Sequence, residues 1–273
     1  MQEGWFDKVW YKGFKRPYAL TKRYDTGEGN LVILLHGVGR TAEVWDQLVA
    51  DLKDTSIQVV AYDLLGFGES PKPQWLNYSV DDHAKSVIKS IEKLETKNKI
   101  ILVGHSMGSL IALRVARLRP DLVKHLILFE MPLYRGLPNK RMYRLRLNFY
   151  YKLYTWAQEY SPTFDSNTAA FKERLAKKFF GLEVDKTSWI PFVKSLEHTI
   201  FEQTAPQDIK KIKMPMDVIY GSYDMLVIRG TVKHVIEDKS EHLKVFNVRT
   251  GHTISKKASE FLKQRIINAN HEQ

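Results

Sequence analysis

Cysteine is absent from the 273 residues. That excludes disulfides, thiolate nucleophiles and thiolate-bound metals, and it fits a reducing compartment such as the cytoplasm. Long apolar runs are missing as well. None approaches the roughly 18 residues of a membrane-spanning helix. The N-terminus, MQEGWFDKVWYK, mixes charge with aromatics and has no apolar stretch, so no secretory signal is expected. Internal repeats, low-complexity segments and blocks of five or six consecutive Lys or Arg are absent too, and so is the aromatic–basic motif of an RNA-binding module.

What is present describes a globular chain with a substantial core: 44% hydrophobic and 27% charged residues. Its length suits one α/β domain, a class that commonly reaches roughly 250 residues. The net charge is +11, from 42 basic and 31 acidic residues. Because it is spread along the chain, it reads mainly as a solvated surface. Membrane-surface binding is a lesser alternative and nucleic-acid binding a smaller one still. A monomer or homodimer with a small-molecule substrate is expected.

From about residue 30, short apolar runs alternate with helical periodicity. LVILLHG (31–37), IQVVAYDL (57–64), KIILVGHS (99–106) and VKHLILFE (123–130) read as strands buried on both faces. Between them, 41–52 places Val44, Leu48 and Leu52 on one helical face. Ser79-Val-Asp-Asp82 has the form of a capping box ahead of a helix to about Glu95, and Met107 to Leu118 forms another that stops near Arg119-Pro120. The alternation breaks over 132–205 and resumes with MDVIYG (216–221), a helix around 229–237, HLKVFNV (242–248) and a helix over about 253–267. This predicts an α/β fold: a mostly parallel, doubly wound sheet with helices on both faces. Residues 1–131 and 206–273 would form the core, and 132–205 a helical cap inserted beside the carboxyl ends of the strands, where such sheets bind ligands.

Gly104-His105-Ser106-Met107-Gly108 is the most informative motif. A glycine-rich turn alone could arise by chance. This one fits G-x-S-x-G, follows a buried strand and opens a helix, the context of a nucleophile elbow. The tight turn needs small residues two before and two after the serine. A serine hydroxyl needs a base. Of nine histidines, His252 follows Gly251 in the loop between the last strand and the last helix, at the same sheet edge as Ser106. His36 and His105 adjoin the site as packing or hydrogen-bonding groups. His83, His125, His198, His234, His242 and His271 read as ordinary surface or element positions. The acid that would orient the imidazole is Asp224, in the turn after MDVIYG, with Glu130 the alternative because it also ends a strand at that edge. Oxyanion donors would be the N–H groups of Met107 and of Val38 in His36-Gly37-Val38-Gly39; one such donor is typically worth about 3–4 kcal/mol in an acyl-transfer transition state.

On LLHGVG, YDLLGFGES, LVGHSMGS, YGSYDMLV and TGHT, the chain resembles the α/β-hydrolase family from about residue 28 to 268. The resemblance implies that Asp63 to Ser70 is a structural loop near the site. Serine at the nucleophile position argues against the dehalogenase and epoxide-hydrolase branches, which use Asp there. Ser109 departs from the glycine many relatives carry.

The 132–205 segment holds twelve basic and seven acidic residues, 12 − 7 = +5. Met142, Leu145, Phe149, Leu153, Trp156 and Tyr160 share one helical face, expected to pack on the core; facing lipid or lining an acyl chain, or recognising an anion, are alternatives. Further cap helices are expected near 171–180 and 189–201. The chain is therefore expected to hydrolyse a small carboxylic ester with a Ser106-His252-Asp224 triad and no metal or organic cofactor. Alternatives are C–C, thioester or amide hydrolysis or perhydrolysis with the same residues, or a non-catalytic binding protein on the same fold.

Overall fold

The computed structural model describes residues 8–14, 16–133, 155, 182–224, 227 and 242–272. Seven strands among them form one sheet: β1 (Lys22–Thr26), β2 (Asn30–Leu35), β3 (Ile57–Tyr62), β4 (Ile100–His105), β5 (Val123–Phe129), β6 (Met216–Gly221) and β7 (Leu243–Val248), in the order β1-β3-β2-β4-β5-β6-β7. Only β1 runs antiparallel, against β3; the other pairings are parallel. The predicted mostly parallel, doubly wound sheet is therefore what the chain forms.

β2 to β6 are apolar runs because both of their faces are covered. Ile33 and Leu35 join one core with Val87, Ile91 and Leu110, while Val32 and Leu34 join the other with Trp45, Leu48 and Leu262. Alternate residues of a strand point to opposite faces, so one run feeds two cores. The helices α1 (Asp46–Leu52) and α6 (Lys256–His271) cover the second face. α2 (Val80–Glu92) and α3 (Met107–Leu118) cover the first. The capping box at Ser79 is formed: its hydroxyl accepts from Asp82 N–H at 3.2 Å, and the Asp82 carboxylate accepts from Ser79 N–H at 3.0 Å.

Three local features differ from the sequence reading. β1, with the sequence KRYDT, lies at a half-exposed edge and lacks the apolar run that marks its neighbours. The segment 41–52 is a 3-10 turn (Ala42–Trp45) followed by α1, because the Asp63 carboxylate takes the Ala42 N–H at 2.8 Å. Residues 189–201 form α4 (Trp189–Ser195) and then a π-turn (Leu196–Phe201), followed by α5 (Ala205–Ile209). Trp189, Phe192, Leu196 and Ile200 pack into the same core as α2 and α3. Apart from residue 155, the helices expected over 142–160, 171–180 and 229–237 lie outside the described residues. Among the described residues no helix is long and apolar enough to cross a membrane.

Candidate active site

β4 passes into α3 through Ser106 with no intervening loop, and the serine takes the strain: φ 53°, ψ −121°. A non-glycine residue there costs about 1–3 kcal/mol and persists only where its surroundings fix it. Here they do. Ser106 N–H donates to the Phe129 carbonyl at 2.9 Å. The Ser109 hydroxyl lies 2.6 Å from the Gly104 carbonyl and 3.0 Å from that of Phe129, which gives the departure at 109 a bracing role. A Cβ at Gly104 would overlap the Gly108 backbone, and one at Gly108 would overlap the carbonyls of Leu35 and His36. The two glycines thus let helix, strand and turn approach closely enough to hold the Ser106 hydroxyl beside His252.

Asp224 and His252 come from the loops after β6 and β7. The loops are stitched together by Ser222 N–H to the Val248 carbonyl at 2.7 Å and Tyr223 N–H to the Thr250 carbonyl at 3.0 Å. His252 Nε2 lies 3.1 Å from Ser106 Oγ, and its Nδ1 lies 2.7 Å from Asp224 Oδ2. Asp224 is buried and its other oxygen accepts from Val227 N–H at 3.3 Å. The arrangement suits a neutral imidazole whose Nδ1–H donates to the carboxylate while Nε2 accepts the serine proton.

The loop after β2 runs beside the serine. A Cβ at Gly37 would sit 3.1 Å from Ser106 Cβ. Gly39 has φ 65° and presses against Leu182 and Val184, and its carbonyl accepts from Glu183 N–H at 2.6 Å. Val38 is half-buried in this loop, and Met107 is buried in the first turn of α3. His36 locks the loop: Nδ1–H donates to the Gly37 carbonyl and Nε2 accepts from Leu64 N–H, both at 2.8 Å. Burial pushes its pKa down to about 4, which keeps the ring neutral for both bonds. Asp63 holds the adjoining loop, accepting from Ala42 and Glu69 N–H at 2.8 and 2.9 Å.

Three neighbours gain roles that the sequence did not define. His105 Nε2–H donates to the carbonyl of His252 at 2.7 Å. Burial, then the nearby His252, pushes the His105 pKa down to about 3. Glu130 is wholly buried with φ 53°, and one ligand atom each from Glu130, Asp224 and His252 lie within 4.8 Å of one another. These three are the described group with metal-ligand chemistry, but both imidazole nitrogens already face Asp224 and Ser106. Arg40, next to the Gly37–Gly39 loop, is half-buried; desolvation lowers its pKa, and its charge disfavours protonation of His36 and His105. Away from the site, His83 and His125 occupy element positions and are fully buried. His83 meets the Ser195 hydroxyl at 3.1 Å, and His125 lies 3.4 Å from Asp217, whose carboxylate also accepts from Arg265 at 2.8 Å.

The sequence matches the α/β hydrolase fold family over residues 30–257. The chain belongs to that family. Among curated proteins, it is 36% identical over 102 residues to a probable lysophospholipase, BODYGUARD 4, of Arabidopsis thaliana, covering 37% of this chain and 24% of that protein. It is 34% identical over 111 residues to the 2-hydroxy-6-oxo-6-(2'-aminophenyl)hexa-2,4-dienoic acid hydrolase of Metapseudomonas resinovorans, covering 40% and 38% respectively. The matches thus span well under half of these relatives. An esterase of Thermogutta terrifontis superposes with a TM-score of 0.68 at 20% identity, covering 93% of this chain and 94% of that one. The enol-lactonase of Burkholderia xenovorans gives 0.69 at 18%, covering 94% and 100%.

Proposed function

We propose that the protein is a serine hydrolase of small carboxylic esters. The carrying observation is the chain Ser106 Oγ–His252–Asp224, with separations of 3.1 and 2.7 Å, on a serine held at positive φ. In this reading Ser106 Oγ attacks the ester carbonyl as its proton passes to His252 Nε2. Asp224 fixes the tautomer and stabilises the imidazolium. The tetrahedral oxyanion is held by the N–H groups of Val38 and Met107. His252 then protonates the leaving alcohol, and water, deprotonated by His252, cleaves the acyl-enzyme. No metal or organic cofactor enters these steps. Residues 132–205 serve as the cap that shapes the pocket, and a reducing compartment such as the cytoplasm suits a chain without cysteine.

A second reading has a carboxylate-bearing substrate. It is favoured by the half-buried Arg40 beside the proposed oxyanion loop and by the similarity to a dienoic acid hydrolase.

The test is hydrolysis of p-nitrophenyl esters over a range of acyl lengths by wild type and Ser106→Ala. Turnover that vanishes in the variant, with fluorophosphonate labelling confined to Ser106, is expected. Absence of both turnover and labelling in the wild type would overturn the ester reading and favour a binding protein.

A further inference from the structure

Three of the seven large apolar side chains exposed among the described residues fall within six positions of the N-terminal segment: Val9 (37%), Trp10 (39%) and Phe14 (65%). Scattered singly they would need no explanation. Here they adjoin, with the Trp10 and Phe14 rings 6.2 Å apart. The segment is held from behind. Tyr11 stacks on buried Tyr18 at 3.9 Å, and Tyr18 lies against Trp75. Tyr11 thus faces the fold while Trp10 and Phe14 are exposed.

The same stretch is strongly one-signed. From Lys8 to Tyr24 there are six basic residues (8, 12, 15, 16, 22, 23) and no acidic one. Lys22 and Arg23 are paired with Asp25 and Glu43. Lys12 and Arg16 are exposed, and the Arg16 guanidinium lies 4.8 Å over the Trp10 ring. Amphipathic aromatics interleaved with cations suit the headgroup layer of an anionic bilayer: rings settle at the acyl boundary while cations meet lipid phosphates. A second copy suits it less, since a two-fold contact would set this basic stretch against itself.

The location gives the patch meaning. β1 is antiparallel to β3 with Lys22 opposite Tyr62, so the chain before Lys22 lies at the carboxyl edge of the sheet, where Ser106 stands. Thr21 is fastened there, its N–H on the Ser70 hydroxyl at 2.9 Å. We propose that Val9, Trp10 and Phe14, with Lys12 and Arg16, dock the protein on an anionic phospholipid surface, with the carboxyl edge of the sheet turned toward the lipid.

The experiment is co-sedimentation of the full chain with phosphatidylcholine vesicles, with and without phosphatidylglycerol, at low and physiological salt. Three proteins are compared: wild type, Trp10→Ser/Phe14→Ser and Lys12→Glu/Arg16→Glu. Circular dichroism and short-chain ester turnover serve as folding checks. The wild type is expected to bind phosphatidylglycerol vesicles and to weaken with salt. Each double variant should bind about tenfold less or worse, with turnover unchanged. No binding by the wild type, equal binding by the variants, or a wild-type dimer that the Trp10/Phe14 variant converts to monomer would overturn the proposal. Vesicle binding is read by sedimentation and the fold by circular dichroism, neither of which needs ester turnover, so the proposed chemistry stands or falls separately.

Discussion

Two buried carboxylates stand near the His252 imidazole, and geometry separates them. Asp224 Oδ2 meets Nδ1 at 2.7 Å, while Glu130 is grouped with both at up to 4.8 Å. Asp224→Asn is therefore expected to lower kcat for a p-nitrophenyl ester by about 10³-fold or more, by stabilising the wrong imidazole tautomer. Glu130→Gln should cost less than about tenfold. The reverse ranking in steady-state kinetics would reassign the acid. The sequence favours Asp224, in the turn after its strand, over Glu130, which ends a strand at the same edge. Ser106 was easier, since its motif records a backbone constraint: each flanking glycine is required by a contact with neighbouring backbone. The bond from His105 to the His252 carbonyl joins residues 147 apart and left no local trace.

At the scale of elements, three buried histidines tie strands and helices together as neutral rings. His36 bridges the ends of β2 and β3, His105 ties β4 to the loop before α6, and His83 links α2 to Ser195 of α4. Burial pushes their pKa values down to about 4, 3 and 3. An unfolded His titrates near ~6.5, so between there and about 4 the unfolded chain binds more protons than the folded one. The sign follows: stability is lost as pH falls through that window and is unaffected by these groups above it. Thermal melts should show Tm falling between pH 7 and pH 5, and His83→Asn should flatten that fall. An unchanged slope would mean that His83 is protonated in the fold. The helix that carries His83 was legible because its cap and its apolar spacing are local. β1 was not, because an edge strand needs no apolar run, and neither was the π-turn at 196–201, whose residues carry the same spacing as an α-helix.

At the scale of the molecule, the parallel sheet could be read from the alternation of apolar runs and periodic segments, since strands covered on both faces carry little polar sequence. Its order could not, because crossovers leave no composition signal. Net charge likewise conceals its own distribution. The figure of +11 says nothing of the unbroken basic stretch from Lys8 to Tyr24, which matters because it coincides with exposed aromatics.

The serine and its base sit 146 positions apart, joined across β4 and the loop after β7. Until the C-terminal crossover docks, the polypeptide holds a strained turn with nothing to deprotonate it. Under the proposed chemistry, covalent capture of Ser106 would report when the C-terminal crossover docks. After dilution from denaturant, helical signal should recover first and fluorophosphonate incorporation should lag, since contacts of such long range form late. Simultaneous recovery would mean that β7 and α6 assemble with the first half of the sheet, not onto it.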